Sequence, residues 1–237
     1  MDSNLIEKQI IKRILDGKYK HILPSERELA NQFKVTRQKI REVLQRLQRD
    51  GWIEIQHGMP TRIRFIFEEG GLNILNSLIH HNVLELPFLS TQDFIVKLLE
   101  IRYALAPVYT ESCLNMNPQI VLDYLSNGLE KDYINKLITN SKEITNFDWN
   151  LHRILCKHSN NIIFLFLLNS FKDIYFYFGV KYFSLQEARE RSIKFYKNFY
   201  KYILKNQKEK AIQEMKNVTK DSIEILKKAL IKNKENI

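Results

Sequence analysis

Pro24-Ser25-Glu26-Arg27-Glu28-Leu29-Ala30-Asn31-Gln32-Phe33-Lys34-Val35-Thr36-Arg37-Gln38-Lys39-Ile40-Arg41 contains two helix starts in close succession. In the first, the Ser25 hydroxyl can accept from the backbone of the next turn while Glu28 reaches back to the Ser25 amide, the reciprocal pattern of a capping box. Leu29, Ala30 and Phe33 then supply an inner face. Lys34-Val35 makes a tight turn, Thr36 caps the second start, and Ile40, Val43, Leu44 and Leu47 form an apolar stripe on the helix that follows. Asp50-Gly51 stops that helix. Upstream, Ile6, Ile10 and Ile14 recur every four residues and predict another amphipathic helix, ending near Gly17. Downstream, Trp52-Ile53 with Ile55, and then Thr61-Arg62-Ile63, read as two short strands joined by the turn His57-Gly58-Met59-Pro60. Helix, helix, turn, helix and hairpin in this order predict a winged helix-turn-helix with a small β-hairpin wing over residues 1–65.

Charge says what such a module would hold. The 237-residue chain carries 37 Lys+Arg against 27 Asp+Glu, a formal charge of +10. Fourteen of the cations but only eight of the acids fall in the first 64 residues, so more than half of the excess sits in about a quarter of the chain. Arg37, Lys39 and Arg41 crowd the start of the third helix, where the macrodipole is already positive and favours acids. Alone, that arrangement destabilises the helix. It is favourable when duplex phosphates and base edges arrive there. Arginine can donate two hydrogen bonds to guanine O6 and N7, which makes Arg37 and Arg41 the candidates for base reading, with Thr36, Gln38 and Lys39 beside them. Arg27 opens the second helix within reach of backbone or base, and His57-Gly58 is placed to enter a minor groove.

Beyond residue 65 the texture is helical almost throughout, with few glycines and Asn, Asp, Ser or Pro at the interruptions. Residues 66–76 read as a linker and 77–237 as an all-helical effector-binding and regulatory domain. Helices are expected near 71–81, 91–114, 118–127, 130–139, 143–158, 161–181, 185–205 and 207–232. Ile212, Met215, Ile223, Leu226 and Leu230 are expected to form the inner face of the last one. The fold class is therefore mainly α. Nine aromatic residues between Phe164 and Phe183 are enough for both core and cavity lining, with core the larger share. Cys113 and Cys156 lie far apart without a CxxC, and they are expected as buried, reduced thiols. The amino terminus lacks a basic region followed by an apolar stretch, and the apolar run 162–168 is too short to span a bilayer, so a soluble cytoplasmic protein without a membrane partner is expected. No phosphate-binding glycine loop, nucleophile elbow or purposeful carboxylate pair supports an enzyme.

The strings Leu23-Pro24-Ser25-Glu26-Arg27-Glu28-Leu29-Ala30, Thr36-Arg37 and Arg41-Glu42-Val43-Leu44 closely resemble the winged-helix signature of the GntR family of bacterial transcription regulators. The stretch from Arg41 to Trp52, then Ile55 to Thr61 and Gly71 to Leu75, are similar to the branch of that family that regulates fatty-acid metabolism. The likeness continues more thinly through Leu98-Leu99-Glu100-Ile101-Arg102, Phe147 to Asn150, Lys181-Tyr182-Phe183 and Ser192 to Tyr196. It implies a homodimer that binds a palindromic double-stranded operator and releases it when long-chain acyl-CoA binds. The regulator would repress fatty-acid degradation and activate unsaturated fatty-acid synthesis.

Residue by residue, the resemblance places DNA contacts on Arg27, Thr36, Arg37, Arg41, His57 and Gly58, and effector contacts on Arg102, Tyr182 and Ser222. The chain departs from the pattern at Gln38 and Lys39, where threonines are usual, and at Met59, where a lysine is usual. It departs again at Val218, Thr219 and Leu226, in place of tyrosine, glycine and tryptophan. A GntR-type repressor answering to another organic acid, or to no ligand, is the alternative these pocket changes leave open. Asp148 and His152, four residues apart, also resemble the start of the Asp plus three His metal site of many GntR relatives. All six histidines lie at or before His158, so the later helices offer no further imidazole. A hydrogen-bonded polar pair is the expectation there, with no metal and no cofactor other than the effector.

Overall fold

A computed structural model describes residues 1–235, with side chains through residue 228. It divides into two compact units, Met1–Thr91 and Gln92–Ile237.

The first unit opens with α1 (Ser3–Leu15), α2 (Glu26–Phe33) and α3 (Arg37–Arg49). The capping box is formed: Glu28 N–H donates to Ser25 Oγ at 3.3 Å and Ser25 N–H donates to Glu28 Oε2 at 2.8 Å. Thr36 Oγ1 accepts from Lys39 N–H at 3.3 Å. Lys34 closes α2 in the left-handed region, φ 54°, and its amide returns to the helix carbonyls. Ile40, Val43, Leu44 and Leu47 are buried against Ile6, Ile10 and Ile11 of α1, each such side chain stabilising the unit by about 1.5–3 kcal/mol. Strands β1 (Ile53–Glu54) and β2 (Arg62–Ile63) pair antiparallel, Ile53 opposite Ile63, and Gly58 in the connecting turn takes φ 74°. The wing has a third edge, because Ile22 bridges to Arg62 and Leu23 N–H donates to Thr61 O.

A short α4 (Ile66–Glu69), also unforeseen, and α5 (Leu72–His80) complete this unit. Two buried polar links hold α5 down. Trp52 Nε1 donates to Ser77 Oγ at 2.9 Å, and His81 Nε2 lies 3.6 Å from Glu7 Oε1 on α1.

The second unit is a helical bundle of α6 (Thr91–Met116), α7 (Pro118–Gly128), α8 (Lys131–Thr139), α9 (Ser141–Lys157), α10 (Ile162–Ser170), α11 (Lys172–Tyr182), α12 (Gln186–Leu204) and α13 (Lys208–Glu235). Asn117, Asn140 and Asn161 cap α7, α9 and α10 with their side chains, which is why the polar interruptions in the sequence mark the boundaries. Helix α9 packs on α7, α8, α10 and α11, while α12 packs on α7, α8 and α13. Phe147 stacks on Tyr124, and Gly128 lies so close beneath its ring that an added Cβ would meet Phe147 carbons at 2.2 Å.

Three expectations need correction. The helix expected over 161–181 is two helices, bent by 65° at Phe171. Of the nine aromatics from Phe164 to Phe183 only Phe183 is fully buried; Phe166 and Tyr177 are 58% and 51% exposed, and the other six are half-buried, Phe164 and Tyr182 among them packing against the core. The bend turns one side of each short helix toward a cavity, so lining takes the residues that a straight helix would have committed to the core. On α13 the buried positions among the described residues are Ala211, Met215, Val218, Thr219 and Ile225, so of the expected inner face Met215 is buried, Ile212, Ile223 and Leu226 are half-buried, and the side chain of Leu230 lies outside the described residues. Among the described residues no single helix is long and apolar enough to cross a membrane, although the bent pair α10 and α11 passes that test of length and composition together.

Candidate functional site

On the first unit, the face of α3 that points away from its apolar stripe is open. Arg27, Thr36, Arg37, Gln38 and Arg41 are exposed, Lys39 is half-buried, and His57 and Gly58 are exposed at the tip of the wing. Arg37 and Lys39 form no ion pair among the described residues. Arg41 is engaged: its Nε and Nη2 donate to Glu26 Oε1 and Oε2 at 3.2 and 3.0 Å. Gln38 Nε2 donates to Glu42 Oε1 at 3.3 Å. The sequence-chosen residues on α2 and α3 thus form one cationic surface at a helix start, an arrangement suited to oligoanion backbones. The Glu26–Arg41 bond had no signal in the spacing, because the partners are 15 residues apart on different helices.

The second unit encloses a cavity of about 160 Å³, walled by α6 and by α9 through α13. Arg102, Tyr182 and Ser222 all line it, and so do the variant positions Val218, Thr219 and Leu226. Leucines 98, 99, 105, 167 and 168 make most of the remaining wall apolar together with the aromatics of α10 and α11. Tyr182 Oη donates to Ser222 Oγ at 3.0 Å, and Ser222 donates onward to Val218 O at 2.7 Å. Burial pushes the Tyr182 phenol up to about 12.

One end of the cavity is polar and tightly wired. Arg102 Nη2 donates to Asp148 Oδ2 at 2.9 Å and to His152 Nε2. Asp148 also accepts from Tyr196 Oη at 2.8 Å and from Tyr175 Oη. Because a guanidinium can only donate, His152 Nε2 must be the acceptor, which leaves the proton on Nδ1, 2.7 Å from Tyr109 Oη. Burial, reinforced by the Arg102 charge, pushes the His152 pKa down to about 3, so the ring is neutral. Burial works against the Asp148 charge as well, but Arg102 and the two tyrosine donors outweigh it and hold the carboxyl below its ordinary value. For Arg102, desolvation is likewise offset by Tyr175 and Asp148, and its pKa is raised.

Asp148 and His152 are therefore bridged by an arginine, and a guanidinium stands between the two side chains that resemble metal ligands. Among the described residues no group of three or more His, Cys, Asp or Glu could hold a metal ion. Tyr109 carries no mark in the sequence beyond lying two helical turns after Arg102, whereas Tyr175 and Tyr196 stand there within the aromatic run and the likeness from Ser192 to Tyr196, but not as partners of Asp148. Cys113 and Cys156 are buried free thiols, raised by burial to about 11 and about 12.

Residues 3–63 match the family described as bacterial regulatory proteins, gntR family. Residues 65–237 match the family described as FadR C-terminal domain. A fatty acid metabolism regulator protein of Shewanella putrefaciens is 38% identical over 197 residues, covering 82% of this chain and 78% of that protein. The protein of the same description from Shewanella oneidensis gives the same identity and coverage, 38% with 82% and 78%. Among solved structures, Lar, which is described as controlling expression of the Listeria monocytogenes agr system, superimposes with a TM-score of 0.56 at 14% identity over 96% of this chain and 97% of that one. At that identity the likeness speaks to the fold alone.

Proposed function

The chain belongs to the GntR family of bacterial regulatory proteins and carries a FadR C-terminal domain, and from that premise we propose that it is a cytoplasmic, homodimeric transcription regulator of fatty-acid metabolism that leaves its operator when long-chain acyl-CoA binds. The observation that carries the effector half of this reading is the meeting of Arg102, Tyr182 and Ser222 on one apolar cavity. The DNA half rests on the exposed cations at the start of α3.

In this reading Arg37 and Arg41 read base edges from the major groove, Lys39 and Arg27 hold phosphates, and His57-Gly58 follows the minor groove. Thr36 and Gln38 complete the reading surface. A two-fold symmetric pair of such modules matches a palindromic operator. Repression of fatty-acid degradation and activation of unsaturated fatty-acid synthesis then depend on where the operator lies in each promoter.

The acyl chain gains about 0.8 kcal/mol per buried CH₂ in an apolar tunnel. At about 160 Å³ the cavity is below the usual range of roughly 300–1,000 Å³ for ligand pockets, so a long chain has to spread the helices. The walls that yield are α10 and α11. Among the described residues α10 buries no side chain fully, and α11 buries only Ile174. Spreading is relayed through residues 66–76 and changes the separation of the two recognition helices, so that both half-sites are no longer met.

A repressor of a small organic acid is the less favoured reading. A small acid would leave the leucine and aromatic walls of the cavity without an apolar group to cover them. Thermal-shift and operator-release measurements with acyl-CoAs of graded length, free fatty acids and small carboxylates test the choice. Release by a long acyl-CoA alone supports the proposal, and an operator complex that survives saturating acyl-CoA refutes it.

A further inference from the structure

The Glu26–Arg41 bond joins two exposed side chains, 36% and 58% accessible, on a surface where every other consideration favours positive charge. An exposed pair of this kind is screened by solvent and adds little to stability, so folding is a weak reason for it. A carboxylate there also repels phosphates and lowers affinity for any duplex. The first turn of α2 has a second acid, Glu28, which completes the capping box, so the helix start does not depend on Glu26.

The geometry points to a positioning role. Arg41 offers Glu26 the edge of its guanidinium formed by Nε and Nη2. Two of its five N–H donors are used, and the remaining three lie on Nη1 and on the second hydrogen of Nη2. Those include the end-on pair that a guanine needs at O6 and N7. We propose that Glu26 is a specificity-determining residue that holds the Arg41 fork edge-on, so that its free end presents to a guanine. A flexible arginine finds phosphates as readily as bases. An arginine anchored from the neighbouring helix is pre-organised for one plane and one direction, and its ordering entropy is already spent before DNA arrives. The consequence is a trade: Glu26 lowers affinity for arbitrary DNA and raises discrimination. This inference rests on the DNA-binding reading above.

The test uses the full chain. Duplexes are enriched from a random pool with the unsubstituted protein, and affinities for an enriched and a scrambled duplex are then measured for Glu26→Ala, Glu26→Gln, Arg41→Ala and the double variant Glu26→Ala/Arg41→Ala. Glu26→Ala is expected to leave scrambled-duplex binding unchanged or raise it up to about threefold, and to cut the enriched-to-scrambled ratio about tenfold, the scale of one arginine–guanine contact. Glu26→Gln, which keeps one acceptor oxygen, falls between. In the Arg41→Ala background, removing Glu26 leaves the ratio where it is. An unchanged ratio in Glu26→Ala, an equal loss on both duplexes, or the same change with Arg41 already absent overturns the proposal. If the unsubstituted protein enriches no sequence, the DNA-binding reading fails and this inference falls with it, a result distinguishable from Glu26 alone being inert.

Discussion

Arg102 of α6 and Asp148 of α9 form an ion pair at 2.9 Å on the wall of the cavity, with the arginine side chain 24% and the aspartate 8% exposed. A pair this sheltered is sensitive to losing one member, because the survivor keeps its desolvation cost without its partner. Asp148→Ala should therefore cost about 3–5 kcal/mol, read as a lower urea midpoint at unchanged m-value. Arg102→Ala should cost less, since Tyr175 and Tyr196 still donate to Asp148. Equal and small losses in both variants would show that the pair is well hydrated.

His152 makes stability depend on pH. The groups facing it are Arg102 and Tyr109 from α6 and Asp148 from its own helix. Its folded pKa of about 3 lies below the ordinary 6.5, so as pH falls the unfolded chain takes up the proton first. The contribution of the neutral ring is complete above about pH 6.5 and is lost progressively as pH drops toward about 3. Asp148, also depressed, adds its own loss below the usual carboxylate range near 3.8. His152→Gln should flatten the stability profile between about pH 6.5 and 4, where carboxylates contribute less. A variant as acid-sensitive as the parent in that window would assign the effect elsewhere.

Trp52 is fully buried and its indole donates to Ser77 on α5. Trp52→Phe removes both the ring edge and the donor, leaving Ser77 without this bond, and should cost about 1–3 kcal/mol. Hydrogen exchange in residues 72–80 should quicken relative to α3 if the bond holds α5 against the winged helix. Uniform acceleration across the unit would mean that only global stability had changed.

Arg37 and Lys39 separate two kinds of contact. Arg37→Ala should lose about 1–3 kcal/mol on the preferred duplex and relax preference at one base position. Lys39→Ala should weaken binding to all duplexes alike and reduce the dependence on salt by about one phosphate contact. The same loss on every duplex from both variants would remove the base-reading assignment of Arg37.

What could be read from the sequence followed the range of the interaction. The capping box of Ser25 and Glu28, the Thr36 cap, the buried stripe from Ile40 to Leu47 and the Gly58 turn are local, set by residues within a few positions, and each is present. The unforeseen features are contacts across the fold. Ile22 joins the wing through a strand forty residues away, Glu26 reaches Arg41 between helices, and Tyr175 and Tyr196 converge on Asp148 from two later helices. The bend at Phe171 was hidden for another reason. The segment from Ile162 to Leu168 is apolar on all sides, so no stripe existed whose rotation would reveal a break.

Tyr182 supplies the final prediction, because its hydroxyl donates to Ser222, whose own proton goes to the Val218 carbonyl one turn back on α13. Tyr182→Phe leaves Ser222 Oγ without that donor but keeps the ring against the cavity. The fold should lose only about 0.5–1.5 kcal/mol, the net value of one hydrogen bond. If the Tyr182–Ser222 end of the cavity receives the polar end of the acyl group, the variant should need about tenfold more long-chain acyl-CoA to release the operator, while its affinity for the operator without ligand stays the same. If instead these residues only pack α11 on α13, release should follow the stability loss and shift with temperature rather than with ligand concentration. Titrating release at two temperatures separates the outcomes, and an unshifted midpoint would place the polar end of the ligand away from Tyr182.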